Sequence, residues 1–142
     1  MKSFTILEIV LVLTLIPTFF GLLSYGFLDI YNRYLLDSEK QLLLDLLFKA
    51  RHRAEVNYLS QSHGVSWLED QYLLFIGTSS SERLSQYDER YPKAKIIQID
   101  APFTEVVFYP LTQKTNASGS IILSLYGREE IIKVNYEGVI EY

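Results

Sequence analysis

The sequence predicts an α+β protein: a long N-terminal helix, with a membrane-spanning half and an amphipathic half, packed on a C-terminal antiparallel β-sheet. Three observations predict it. Residues 4–28 are almost wholly apolar. Residues 29–61 contain neither glycine nor proline and repeat their leucines at helical spacing. From Gly64 onward, short β-prone runs alternate with turn residues.

The bulk numbers agree with one globular domain plus a membrane segment. The chain has 142 residues, 49% of them hydrophobic and 14% aromatic. Net charge is −4 and the sequence pI is about 5.2. That balance does not favour nucleic acid or anionic lipid as a partner, though it leaves room for a local basic patch. There is no cysteine, so disulfides and thiolate chemistry are excluded and the domain is held by packing alone.

Residues 4–28 would span roughly 37 Å as a helix at 1.5 Å per residue. A bilayer core is about 30 Å thick, so the segment crosses with tilt to spare. It is longer than a signal-peptide core, and no convincing small-residue cleavage site follows it. Lys2 precedes it, which favours an N-terminus inside the cytoplasm. Pro17 and Gly21 lie within it, and membrane helices tolerate both. Tyr25, Tyr31 and Tyr34 fall where the helix leaves the bilayer, as an interfacial aromatic belt would. One acid, Glu8, is set inside the apolar run. A carboxylate in lipid is costly unless something pairs with it, and a plain anchor has no need of one.

The run Ser3-Phe4-Thr5-Ile6-Leu7-Glu8-Ile9-Val10 resembles the N-terminus of type IV prepilins and type II secretion pseudopilins. That family has a short basic leader, a small residue, Phe, Thr, two aliphatics, Glu and then an apolar helix. Ser3 stands where Gly is usual. The resemblance implies a leader at residues 1–3, cut by a prepilin peptidase between Ser3 and Phe4, with N-methylation of the new Phe4 amine. It also implies assembly with other pilin or pseudopilin subunits, driven by a membrane platform protein and an assembly ATPase. Glu8 would set the register by pairing with the amine of a neighbouring subunit. Pairing within one chain is the rival arrangement, and a plain signal anchor with an accidental Glu is the bland one.

Residues 29–62 are expected to continue the helix beyond the bilayer, ending at the stretch Gln61-Ser62-His63-Gly64. Leu35, Leu36, Leu42, Leu43, Leu46, Leu47, Ala50 and Ala54 share one broad face, suited to covering a sheet. Leu44 and Phe48 lie nearly opposite, either as a second face for sister helices or as scattered surface apolars. The basic run Lys49, Arg51, His52, Arg53 is flanked by Asp45 and Glu55 and reads as a solvated face.

Residues 63–142 read as an antiparallel sheet domain. Strands are expected at 65–67, 72–76, 94–99 and 105–109, with a long loop over 77–93. Residues 120–126, 130–135 and 139–142 read as a three-stranded meander, turning at Gly127-Arg128 and Glu137-Gly138. The spacing Gly119-Ser120-Ile121-Ile122-Leu123, then Ile132-Lys133-Val134 and Gly138-Val139-Ile140, resembles the ending of GspH/FimT-type pseudopilins and minor pilins. The fold this implies is the pilin-like lollipop.

No catalytic constellation emerges, so the expectation is a structural protein and not an enzyme, without cofactor or metal. His52 and His63 lack zinc-ligand spacing. Ser66, His63 and Asp70 are close in sequence but sit on no nucleophile elbow. The pairs Glu69-Asp70 and Glu129-Glu130 are adjacent carboxylates, which diverge in strands and turns. Asn116-Ala117-Ser118 fits a glycosylation sequon. The expected function is a minor pilin or pseudopilin subunit of a filament, resident in the cytoplasmic membrane with its C-terminal domain outside. The alternative is a pilus-displayed binding module for DNA, a surface or a secreted substrate.

Overall fold

A computed structural model describes residues 5–142, apart from the side chains of 22–26. The expected leader, residues 1–3, and Phe4 after the expected cut lie outside the described residues. The helix α1 (Ile6–Glu55) is followed by eight strands: β1 (His63–Trp67), β2 (Gln71–Ile76), β3 (Glu89–Pro92), β4 (Gln98–Asp100), β5 (Glu105–Phe108), β6 (Gly119–Leu125), β7 (Arg128–Val134) and β8 (Ile140–Glu141). The chain divides into two compact units, one ending at Tyr34 and one formed by Leu35–Tyr142.

The second unit is α+β and antiparallel throughout, but it has two sheets where the sequence suggested one. The first sheet runs β3-β2-β1-β5 and the second β4-β6-β7-β8. The chain changes sheet between β3 and β4, returns to the first sheet for β5, and crosses again to the second for β6, β7 and β8. The residues of α1 beyond Tyr34 serve both sheets. Leu36, Leu43, Leu46, Leu47, Ala50 and Ala54 are buried in one cluster. That cluster takes Val65, Tyr72, Leu74, Val106 and Phe108 from the first sheet, and Ile121, Leu123, Ile132 and Val134 from the second. Each buried leucine contributes about 1.5–3 kcal/mol of transfer free energy. Leu44 also belongs to this core, and Phe48 meets Tyr142 edge-to-face at 6.2 Å. The two residues read as a separate helix face are thus partly covered by the domain itself.

Local chemistry accounts for the other departures. The helix stops at Glu55, short of the expected end near residue 62, because Asn57 adopts the left-handed conformation at φ 54°. Asparagine tolerates that conformation and supplies a helix C-terminus without glycine. Residues 77–93, read as loop, contain β3. Its Tyr-Pro ending argues against an interior strand, but β3 is an edge strand, where a missing N–H is harmless. The expected strand at 94–99 begins only at Gln98, since Ile97 N–H donates to Ala94 O in a turn. The β6-β7-β8 meander is present. Its first turn is Tyr126-Gly127, at φ 48° and 80°, the two-residue connection with both angles positive.

A satellite core of Leu73, Phe75 and Val107 forms on the other face of the first sheet. Gly64 makes room for it: a Cβ there would lie 2.5 Å from Phe75 Cζ.

Candidate functional site

The candidate site is the described start of α1. Thr5 precedes the helix as its N-cap. The backbone N–H of Glu8 donates to Thr5 Oγ1 at 3.3 Å and to Thr5 O at 3.0 Å, and Ile9 N–H donates to Thr5 O at 3.2 Å. Glu8 is therefore the third helical residue of a Thr-x-x-Glu sequence, the spacing of a capping box. The carboxylate also sits at the positive end of the helix dipole. The Thr5–Glu8 spacing, visible in the sequence, was the signal for this local role.

Beyond Glu8 the helix is apolar on every side. Ile6, Leu7, Ile9, Val10, Leu11, Val12, Leu13, Leu15, Ile16, Phe19 and Phe20 are all at least 46% exposed. At 100° per residue these positions encircle the axis, so no polar face remains for water. The two hydroxyls in the run turn back onto the helix: Thr14 Oγ1 donates to Leu11 O at 2.9 Å, and Thr18 Oγ1 to Thr14 O at 2.7 Å. Ile9, Val12 and Leu13 line a recess beside Glu8 with almost no polar surface. Among the described residues, no helix is long and apolar enough to cross a membrane. The expected span, 4–28, includes Phe4 and the side chains of 22–26, which lie outside them.

The domain disperses the other candidate groups. His63 and Ser66 are three residues apart on β1 and so face opposite sides of the sheet. Nε2 of His63 lies 2.9 Å from Tyr58 O, and Nδ1 is buried without a partner. Burial pushes the imidazole pKa down; the Tyr58 carbonyl opposes this and the nearby Arg53 charge adds to it. Among the described residues, no cluster of His, Asp and Glu can hold a metal ion. Asn116 Oδ1 accepts the Val107 N–H at 2.8 Å, so the sequon asparagine extends the edge of β5.

The basic run, read as a solvated face, is largely committed to the domain. Lys49 Nζ and Arg53 Nη2 each meet Glu89 at 2.6 Å, and Tyr91 Oη donates to the same carboxylate at 2.7 Å. Arg51 donates to Gln113 Oε1 at 2.6 Å. Burial pushes the Glu89 carboxyl up, but hydrogen bonds from Lys49, Tyr91 and Arg53 together outweigh it and hold the pKa at about 2. A second polar node went unread in the sequence. Glu39, buried on α1, accepts Tyr72 Oη at 3.0 Å and Ala94 N–H at 2.9 Å. Burial, then the Glu39 charge, raises the Tyr72 phenol well above its ordinary value.

No family model, curated protein or solved structure matches the chain.

Proposed function

We propose that the chain is a structural subunit of a type IV pilus-like filament, a minor pilin or pseudopilin. It waits in the cytoplasmic membrane with its C-terminal domain outside, is cut between Ser3 and Phe4, and assembles through its N-terminal helix. One observation carries this reading: a helix start that exposes apolar side chains on every face while holding one carboxylate, Glu8, among them. Such a surface belongs in lipid or against other helices. Once inside, an acid is tolerated only with a partner, and the new amine of Phe4 in a neighbouring subunit is of the right sign.

The first test is the mass of the N-terminus after co-expression with a prepilin peptidase. The subunit should lose residues 1–3 and gain a methyl group on Phe4; an intact Met1 sinks the proposal. A plain membrane anchor is the second reading, favoured by the position of Glu8 three residues after the Thr5 cap, where an acid suits the positive end of the helix. Glu8→Gln separates the two. Glutamine serves at this position of a capping box but carries no charge. Under the filament reading the variant inserts and assembles poorly; under the anchor reading nothing changes.

A further inference from the structure

Three turns gather at the Leu35 end of the second unit. Glu89 holds Lys49 and Arg53, and further on the Ala94 N–H reaches Glu39, so the chain from Glu89 to Ala94 runs back along α1 toward Leu35. Lys93 N–H donates to Asp70 O and Lys93 Nζ to Glu69 O, which brings the β1–β2 turn to the same end. In the second sheet Glu130 meets Lys40, whereas Tyr142, just beyond the Lys133–Glu141 pair, meets Phe48. β7 therefore advances with α1, and the β6–β7 turn before it lies at the Leu35 end. Gln98 pairs with Ser124, so Ile96 and Tyr126 leave that pair on the same side.

Leu68, Ile96 and Tyr126 stand exposed on these turns. Tyr126 has φ 48° at the first position of its turn, where Asn, Asp or Gly is the unstrained choice. A bulky ring held there is a backbone outlier, and at 76% exposure it gains little packing from its own domain. The surrounding charges nearly balance: Asp37, Glu69, Asp70 and Glu129 against Lys93, Lys95 and Arg128. Lys40 and Glu130 pair with each other, and Asp29 and Arg33 lie just ahead on α1. No excess of positive charge draws this end to anionic lipid, so apolar contact decides what it meets.

We propose that this end of the domain rests on the bilayer surface, with Leu68, Ile96 and Tyr126 seated at the boundary between headgroups and acyl chains. Chain length sets the occupant. The expected span ends at Leu28 and the second unit begins at Leu35, and the helix between them rises only about 10 Å. The headgroup layer is itself roughly 5–8 Å deep. The turns at the Leu35 end are thus held within reach of lipid by the chain itself. Tyrosine is favoured at that depth, its ring in apolar contact and its hydroxyl in water. On so short a tether the local concentration is high, so three side chains suffice where a free domain would not bind. The contact holds the domain down while the subunit waits in the membrane and is given up when the helix is drawn into a filament. It rests on the membrane placement of residues 4–28, which the filament subunit and the plain anchor share, and not on cleavage or on Glu8.

The absence of cysteine lets single labels report position. Full-length chain carrying Ile96→Cys, or Gln61→Cys between the far end of α1 and β1, is labelled with an environment-sensitive fluorophore. It is inserted at low density in phosphatidylcholine vesicles, part of whose lipid bears a nitroxide high on the acyl chain. The label at 96 should shift to the blue and lose most of its emission to the nitroxide, in low and high salt alike, while the label at 61 loses little. Adding Leu68→Ser and Tyr126→Asn should cut the quenching at 96 several-fold. Because Asn-Gly suits the turn at 126–127, this chain should unfold in urea no earlier than one carrying Leu68→Ser alone, which separates lost lipid contact from lost fold. Equal quenching at 61 and 96, none at 96, or quenching that survives the double substitution or vanishes in salt overturns the proposal and leaves the filament reading standing. A chain that does not float with the vesicles removes both. Quenching at 96 in a subunit that keeps Met1 upholds the lipid contact and removes the filament reading.

Discussion

Glu89→Gln removes the charge that joins α1 to the edge of the first sheet, and its effect can be worked from the structure. The carboxyl's ordinary value is 4.5 and the fold holds it at about 2. At about 1.36 kcal/mol per pH unit, the gap corresponds to roughly 3 kcal/mol at neutral pH. The Glu89 side chain is 34% exposed and that of Lys49 is 39% exposed, so solvent screening reduces this to about 1–2 kcal/mol. For a unit of this size, each kcal/mol moves the melting temperature by about 4–8 °C. The sign follows from proton counting. Between pH 4.5 and about 2 the unfolded chain binds the proton and the folded chain does not, so stability falls with pH. The advantage is complete above 4.5, about a quarter remains at pH 2.5, and it vanishes below the folded pKa. Thermal unfolding of the full chain in zwitterionic micelles, followed by Trp67, the single tryptophan, provides the assay. The variant should melt about 5–12 °C lower at pH 7, with most of that difference gone at pH 2.5. An equal difference at both values would refute the assignment of the stabilisation to this ionised carboxylate, and so would no difference at neutral pH.

Other perturbations reach different parts of the domain. Gly64→Ala places a methyl 2.5 Å from Phe75 Cζ and should cost about 1–3 kcal/mol in urea unfolding; Phe75→Leu in the same chain should recover part of it. Gly138→Ala should be far worse than Gly127→Ala. Both sit at positive φ, but a Cβ at 138 would lie 1.9 Å from the Gln113 carbonyl while one at 127 meets nothing within 4 Å. Tyr72→Phe strips Glu39 Oε2 of its donor in a buried site and should cost about 1–3 kcal/mol by the same measurement. The His63 ring should titrate below its ordinary 6.5 by NMR; since the folded value is lowered, its contribution is whole above 6.5 and is lost as pH falls beneath it.

The sequence made the helix face and the final meander legible because both are written in period. The apolar residues at helical spacing on α1 line the core, and the alternation over β6 and β7 matches their burial. Where periodicity is short the reading failed. A four-residue edge strand such as β3 carries two charges and a proline, because one side of an edge needs no ladder partner. The division into two sheets was not legible at all. Which strand pairs with which depends on contacts across tens of residues, and β5 joining β1 leaves no local trace. The polar nodes were missed for a related reason: Glu39 and Glu89 look like surface acids until the fold brings Tyr72, Ala94, Lys49 and Arg53 to them.

Glu8 is the opposite case, a residue whose oddity is local and whose meaning is not. Thr5 caps the helix through the Glu8 backbone N–H, a bond that any residue at position 8 would donate. A capping box explains an acceptor at this position, and glutamine would serve there as well as glutamate. It does not explain a glutamate, and not a glutamine, placed before a continuous run of exposed Ile, Val and Leu. Helix-end stabilisation is worth about 0.3–1 kcal/mol, whereas an acid at membrane depth costs about 2.5–3.5 kcal/mol or more. In the bilayer setting proposed above, the local gain does not offset the cost of carrying a charge to that depth. Under the proposed filament assembly, a cationic group at the same depth in an adjoining helix would offset that cost with a single ion pair.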